Sequence, residues 1–148
     1  MPVIDLDVRW EQRFQNFAKA FALLRQTIEV VDTDAYSDLE KEGIIQRFEY
    51  TFELGWKTFR DYLDYSGVEI TEATPRKVIK ECAAQGIFEA AGIDGKIYLE
   101  MLTERNLLSH TYDEDNFRLA FNKVVSTYYP ELRHEYQYLM SRIEAVSD

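Results

Sequence analysis

Apolar residues recur at steps of three and four along most of this chain, which is the pattern of helices with one buried face. The first series consists of Trp10, Phe14, Phe17, Phe21, Leu24, Ile28 and Val31. A polar stretch over residues 32–37 interrupts it, and the second series contains Ile45, Phe48, Phe52, Trp56, Phe59 and Leu63. We expect Gly67 to end the second helix, because glycine readily adopts the left-handed conformation found just past helix ends.

A third, shorter helix is predicted after Thr74, which suits a helix cap, and Pro75, which suits the first helical position. It should stop near Gly86 and carry four residues inward: Val78, Ile79, Cys82 and Ala83. A loop over residues 86–95, with three of the six glycines, then leads to a fourth helix at about 94–109.

The last helix is predicted to begin after Asp113, which can cap it. Its apolar face contains Phe117, Phe121, Val124, Tyr128, Leu132, Leu139 and Ile143. Pro130 lies inside this pattern, and proline lacks the N–H that a helix interior requires. We therefore expect a kink or a break near Tyr129.

Together these series predict an all-α, up-and-down bundle of four long helices plus a short one, forming one domain over residues 1–148. The chain is rich in aromatic residues (14%), and Tyr50, Tyr62 and Tyr65 lie beside the apolar face of the second helix. Either a large aromatic core or the interface of a homodimer explains this enrichment.

The charge balance limits the classes of partner. With 17 basic and 27 acidic side chains the formal net charge is −10, which argues against a broad nucleic-acid-binding face and against DNA as a partner. A site for one phosphate, or a basic partner protein, remains compatible with it. The single cysteine fits a reducing compartment, and no apolar run resembles a signal peptide or a membrane span. We expect a cytoplasmic protein without membrane contact.

Arg105 occupies a position where the helical pattern requires an apolar residue, because the stripe runs Ile97, Met101, position 105 and Leu108. A guanidinium there must find an anion, a partner surface or water. Position 112 falls on nearly the same helical face, whereas position 110 is about 140° away at 100° per residue. The helix must therefore end near His110 if Arg105, His110 and Tyr112 are to lie together.

These residue types suit cleavage of RNA without a metal. Arginine binds phosphate through two parallel hydrogen bonds, and histidine exchanges protons near neutral pH. Arg105 can stabilise the anion that develops when a ribose 2′-hydroxyl attacks its phosphodiester, with His110 as base or acid. The alternative is structural: Arg105 pairs with an acidic neighbour such as Glu104 or Glu100, and His110 only ends a helix.

Other polar groups indicate little further chemistry. Glu49 and Glu53 lie one helical turn apart, but no further ligand follows at metal-binding spacing. Glu53 and Lys57 suit an ion pair between adjacent turns. His134 is predicted to lie on the surface. The lack of further ligands argues against a metal site, and because no glycine-rich phosphate loop is present, we expect no bound ATP or other cofactor.

Two blocks of the sequence, IQRFEYTFEL over residues 45–54 and RNLLSHTYD over 105–113, resemble the nucleotidyltransferase substrate-binding protein family. The spacing of Arg105, His110 and Tyr112 is similar to the motif of its HepT-like branch in the HEPN superfamily. The resemblance extends over roughly residues 8–145.

This resemblance implies a HEPN-like helical homodimer that assembles with two copies of a minimal nucleotidyltransferase as a toxin–antitoxin pair. It makes Arg105 and His110 candidate catalytic residues of a ribonuclease, and Tyr112 the candidate acceptor of AMP from the partner. Arg47, Glu49, Glu53 and Asn106 belong to the matching blocks, and we expect them to support the motif or to face the partner. A structural homodimer with an inactive site is the alternative.

Overall fold

A computed structural model describes residues 6–108 and 114–147, with side chains placed over 8–105 and 114–144. The described residues form helices and no strand. The helices are α1 (Leu6–Glu29), α2 (Asp38–Tyr65), α3 (Pro75–Ala84), α4 (Ile87–Ala91), α5 (Gly95–Leu108), α6 (Glu114–Lys123) and α7 (Tyr129–Ser147). The predicted all-α helical bundle is confirmed.

The helix ends follow local hydrogen-bonding chemistry. Ser37 begins α2 with a capping box: its hydroxyl accepts the Glu40 N–H at 3.2 Å, and the Glu40 carboxylate accepts the Ser37 N–H at 3.0 Å. The hydrogen bonds that the Glu40 carboxylate accepts, first from the Ser37 backbone N–H and second from the Ser37 hydroxyl, lower the pKa of Glu40. Gly67, with a φ of +86°, follows the end of α2 as predicted, and Thr74 caps α3 through a hydrogen bond from Lys77 N–H.

Three details of the predicted helices are wrong. The first helix ends at Glu29, and Val31 is exposed because a short 3₁₀ turn capped by Asp32 redirects the chain. Ala83 is exposed, although Val78, Ile79 and Cys82 of the same helix are buried. The expected loop over 86–95 contains α4, which forms because Ile87 and Phe88 bury their side chains in the core.

Before Pro130, the last helix widens instead of breaking. Residues Val124–Tyr128 form a π-helical segment that joins α6 to α7. A π-helical turn contains one extra residue, which allows the helix to pass a proline while its flanking turns stay in place. In place of the kink or break expected near Tyr129, the structure has a π-helical widening just before the proline.

The core is aromatic and lies between α1, α2, α5 and α7. Phe21 stacks with Tyr136 at a centroid distance of 4.9 Å, and Phe52 contacts Tyr98 at 5.6 Å. No helix within the described ranges is long and apolar enough to cross a bilayer.

Of the three tyrosines noted beside the second helix, Tyr62 is buried in this core and the half-buried Tyr65 packs against it. Tyr62 and Tyr65 contact Trp10, with ring centroids 5.0 and 5.8 Å away, whereas Tyr50 is 63% exposed. The aromatic enrichment therefore serves the core first, and Tyr50 is the member of this group that faces solvent.

Candidate functional site

Arg105 lies in the last turn of α5, where Met101 one turn earlier is fully buried. Its Nη1 donates a hydrogen bond to Glu53 Oε2 on α2, and its guanidinium lies 5.9 Å from the centre of the Phe52 ring. The side chain is 24% exposed. The positive charge of Arg105 is thus paired with a carboxylate of another helix, while its side chain stays partly exposed to solvent.

Two carboxylates of α2 accompany Arg105. Glu53 also pairs with Lys57, with Oε1 and Nζ 3.5 Å apart, as the spacing predicted. Burial raises the pKa of Glu49, and the nearby positive charge of Arg105 opposes this shift. The guanidinium therefore lies in a fixed electrostatic environment in which Glu53 orients it.

A narrow stripe of charged residues extends along α2 from the position of Arg105. Most of α2 between residues 51 and 63 is buried. After Phe48, the partly exposed charged residues of α2 recur at steps of three and four, and we call them the α2 polar stripe: Glu49, Glu53, Lys57, Arg60 and Asp64. Arg105 contacts this stripe from α5.

Only some of the predicted site residues lie together in the structure. Arg105, Glu49 and Glu53 lie together, but Arg47 is on another face of α2, where its Nη1 donates to the Leu23 carbonyl at 3.1 Å. Asn106 belongs to α5, and its side chain lies outside the described ones. His110, Tyr112 and the predicted cap Asp113 also lie outside the described residues.

The second end of the α2 polar stripe is an arginine cluster that sequence reasoning missed. The carboxylate of Asp61, only 1% exposed, is surrounded by Arg9, Arg13 and Arg60. Arg13 Nε donates to it at 2.9 Å and Arg60 Nε at 3.2 Å. Arg9 and Arg13 are one turn apart on α1, a spacing that indicates a shared acceptor but does not identify it.

A buried carboxyl group was missed as well. Glu135 of α7 is fully buried, and its Oε1 accepts a hydrogen bond from Tyr98 Oη at 2.7 Å. Burial raises the pKa of Glu135 to about 8, although the Tyr98 hydroxyl opposes this shift. Position 135 falls between Leu132 and Leu139 on the apolar face, so the helical pattern contained the signal.

His134 is half-buried, so the predicted surface position is only partly correct. Its Nδ1 lies 3.9 Å from Glu131 Oε2, and the same carboxylate accepts the Asp94 N–H at 2.9 Å. Among the residues that the structure describes, no group of three or more His, Cys, Asp or Glu side chains is arranged to hold a metal ion.

Chemically, the described part of the site contains one oriented and partly exposed guanidinium beside two carboxylates. Arg105 is oriented by Glu53, is partly open to solvent and lies five residues before His110. A guanidinium fixed in this way can bind a phosphate oxygen or a carboxylate. The proton-transferring group predicted from the sequence is His110, which lies outside the described residues.

The chain matches a known protein family. No curated protein matches the chain. A family model described as "nucleotidyltransferase substrate binding protein like" matches residues 12–141, which include α2 with its polar stripe and Arg105 of α5. The chain therefore belongs to the nucleotidyltransferase substrate-binding-protein-like family.

Proposed function

We propose that this chain is the helical, non-transferring partner subunit of a minimal nucleotidyltransferase. The observation that carries the proposal is the family match over residues 12–141, which covers most of the bundle. The net charge of −10 suits association with a basic partner, because opposite charges steer encounter and disfavour wrong partners. The exposed Tyr50 is an aromatic residue of the kind enriched in interface cores.

Within this role we propose a homodimer that assembles with two nucleotidyltransferase chains into a heterotetramer. Co-expression with a minimal nucleotidyltransferase followed by size-exclusion chromatography with light scattering tests it. We expect co-elution at the mass of two copies of each chain. A monomer with no affinity for such a partner contradicts the proposal.

The finer part of the proposal is a HepT-like, HEPN-type ribonuclease toxin that this partner restrains. Arg105, held by Glu53, would bind the scissile phosphate. The 2′-oxygen forms a bond to phosphorus, the bond to the 5′-oxygen breaks, and the products are a 2′,3′-cyclic phosphate and a 5′-hydroxyl. One proton leaves the 2′-hydroxyl and one reaches the 5′-oxygen, and His110 performs one of these transfers.

Expression of the chain alone, with RNA integrity and growth as readouts, tests the nuclease. We expect RNA cleavage and growth arrest that His110→Ala abolishes. His134→Ala is the matched control, because it changes the only other histidine of the chain. Identical outcomes for the unmodified chain and His110→Ala contradict the nuclease.

Control by the partner would act through Tyr112. An AMP group on its hydroxyl adds a phosphate, which would compete for the arginine that binds the substrate phosphate. Intact mass after co-expression with the partner should increase by whole adenylyl groups, and Tyr112→Phe should remove the increase. An unchanged mass in the presence of an active partner argues against this regulation.

The second candidate function is a structural homodimer with an inactive site. The observation that favours it is the Arg105–Glu53 ion pair, which satisfies the guanidinium within one chain. In that case Arg105→Ala would leave RNA cleavage and growth unchanged while dimerisation persists.

A further inference from the structure

The arginine cluster of Arg9, Arg13 and Arg60 contains more donors than its carboxylate can accept. The hydrogen bonds from Arg13 and Arg60 to Asp61 leave from Nε, the inner nitrogen. Within the described part of the chain, the outer Nη nitrogens of these two residues make no hydrogen bond. Each guanidinium carries four further N–H groups on those nitrogens, arranged as a fork that fits phosphate.

The cluster is accessible although Asp61 is not. The side chains of Arg9, Arg13 and Arg60 are 41%, 32% and 24% exposed, so the cluster is partly open to solvent around a buried carboxylate. Asp61 fixes them in place, and Asp64, 3.8 Å from Arg9 Nη2, adds a second negative charge. Three guanidiniums against two carboxylates leave a formal local charge of +1 in a chain whose net charge is −10.

The cluster is connected to Arg105 through the α2 polar stripe. The Arg60 guanidinium and the Lys57 ammonium lie 5.6 and 6.0 Å from the Trp56 ring, and Lys57 pairs with Glu53, the partner of Arg105. The eight helical steps from Glu53 to Asp61 span about 12 Å along the helix axis. This distance separates phosphates only a few nucleotides apart on one strand.

We propose that the arginine cluster binds backbone phosphates of the single-stranded RNA whose scissile phosphate lies at Arg105. This rests on the proposed ribonuclease function, because the same strand must reach both ends of the stripe. The contacts are few, which agrees with the net charge of −10. A flexible single strand can place phosphates along such a narrow stripe, whereas a rigid duplex would bring its other phosphates against the acidic remainder of the surface.

The test measures RNA binding separately from cleavage. The His110→Ala chain is titrated against a labelled oligouridylate of about 12 nucleotides, and the Kd is followed by fluorescence anisotropy over a range of salt concentrations. Arg9→Gln with Arg60→Gln should raise the Kd about tenfold. The slope of log K against log salt should fall by about 0.7 for each lost phosphate contact.

Arg13 is left in place so that the buried Asp61 keeps its closest partner. Arg60→Lys is a second variant, since it keeps the charge beside Asp61 but removes the fork, and it should weaken RNA binding without loss of stability. The matched control is Arg25→Gln with Arg118→Gln. It changes the net charge equally at two exposed ion pairs outside the stripe, and its Kd should stay within twofold.

The outcomes separate this proposal from the nuclease. If the unmodified chain does not cleave RNA but the cluster variants lose affinity and salt slope, the cluster proposal stands and the nuclease fails. If His110-dependent cleavage is present and the cluster variants bind RNA like the control, the cluster proposal is overturned. Loss of affinity for the nucleotidyltransferase instead of RNA also overturns it. Competition by ATP or inorganic phosphate as strong as that by the oligonucleotide would assign the cluster to free phosphates rather than RNA.

Discussion

Arg105 and Glu135 both occupy positions where the helical pattern requires an apolar residue, but the bundle accommodates them in opposite ways. Arg105 lies near the end of α5, keeps a quarter of its side chain exposed and pairs with Glu53. Glu135 lies in the middle of α7, is fully buried and accepts one hydrogen bond from Tyr98. The first remains an ion at the surface, and the second is favoured as the neutral acid at neutral pH.

The difference follows from the cost of desolvating a charge. A partly exposed guanidinium keeps some of its hydration and needs one good partner. A fully buried carboxylate loses all of its hydration, and Glu135 Oε2 has no hydrogen-bond partner in the described part of the chain. A charged residue type on an apolar stripe can therefore indicate two different things. Near a helix end it can be a partly exposed ion that is able to bind a ligand, and in the middle of a helix it can be a buried carboxyl group that keeps its proton.

The strongest test of this comparison is the pH dependence of stability. The folded pKa of Glu135 is about 8, above the ordinary value of 4.5, so the folded chain binds the extra proton between these values. Its contribution to stability is complete below about pH 4.5 and is lost as the pH rises to about 8. Urea unfolding should therefore show a loss of about 3 kcal/mol between pH 5.5 and 8.5.

Glu135→Gln is the control for this titration, because the amide oxygen can still accept the Tyr98 hydroxyl and no proton is exchanged. The loss of stability between pH 5.5 and 8.5 should disappear in this variant. If both proteins lost the same free energy of unfolding over this pH range, another group would be responsible. Glu135 would then not have the raised pKa that distinguishes it from a paired surface carboxylate.

A smaller effect is expected from Gly55→Ala, which tests how closely α2 approaches the buried acid. A Cβ at this position would lie 2.8 Å from Glu135 Oε1, 3.1 Å from Tyr98 Oη and 3.3 Å from Phe17 Cε2. Because these side chains are buried and hydrogen-bonded, we expect a loss of roughly 1–3 kcal/mol in urea unfolding. Gly43→Ala, with nothing within 4 Å of its added Cβ, is the matched control and should be neutral or slightly stabilising.

The smallest effect on stability is expected at Arg105. Partly exposed ion pairs contribute little, so Arg105→Ala should change the free energy of unfolding by less than about 1 kcal/mol. RNA cleavage by the chain should nevertheless be lost if Arg105 binds the scissile phosphate. A decrease of several kcal/mol in the free energy of unfolding would instead show that Arg105, like Glu135, is a structural residue of the core.

Local chemistry determined much of this protein from the sequence alone. Apolar steps of three and four identify the helices, and Thr74, Pro75 and Gly67 mark ends that the structure confirms. These signals are readable because capping and burial depend on neighbours within one or two turns. The family resemblance is readable for the same reason, since its two blocks are continuous stretches of the sequence.

Only the tertiary structure decided which residues meet across helices. Glu53, which accepts a hydrogen bond from Arg105, is 52 positions away in the sequence, and Asp61 contacts arginines of α1 and of its own helix. α4 forms because Ile87 and Phe88 bury their side chains in the core. A helix of five residues is not stable without such tertiary packing. Pairing and burial depend on distances through space, and a linear pattern shows that a charge needs a partner without showing which one.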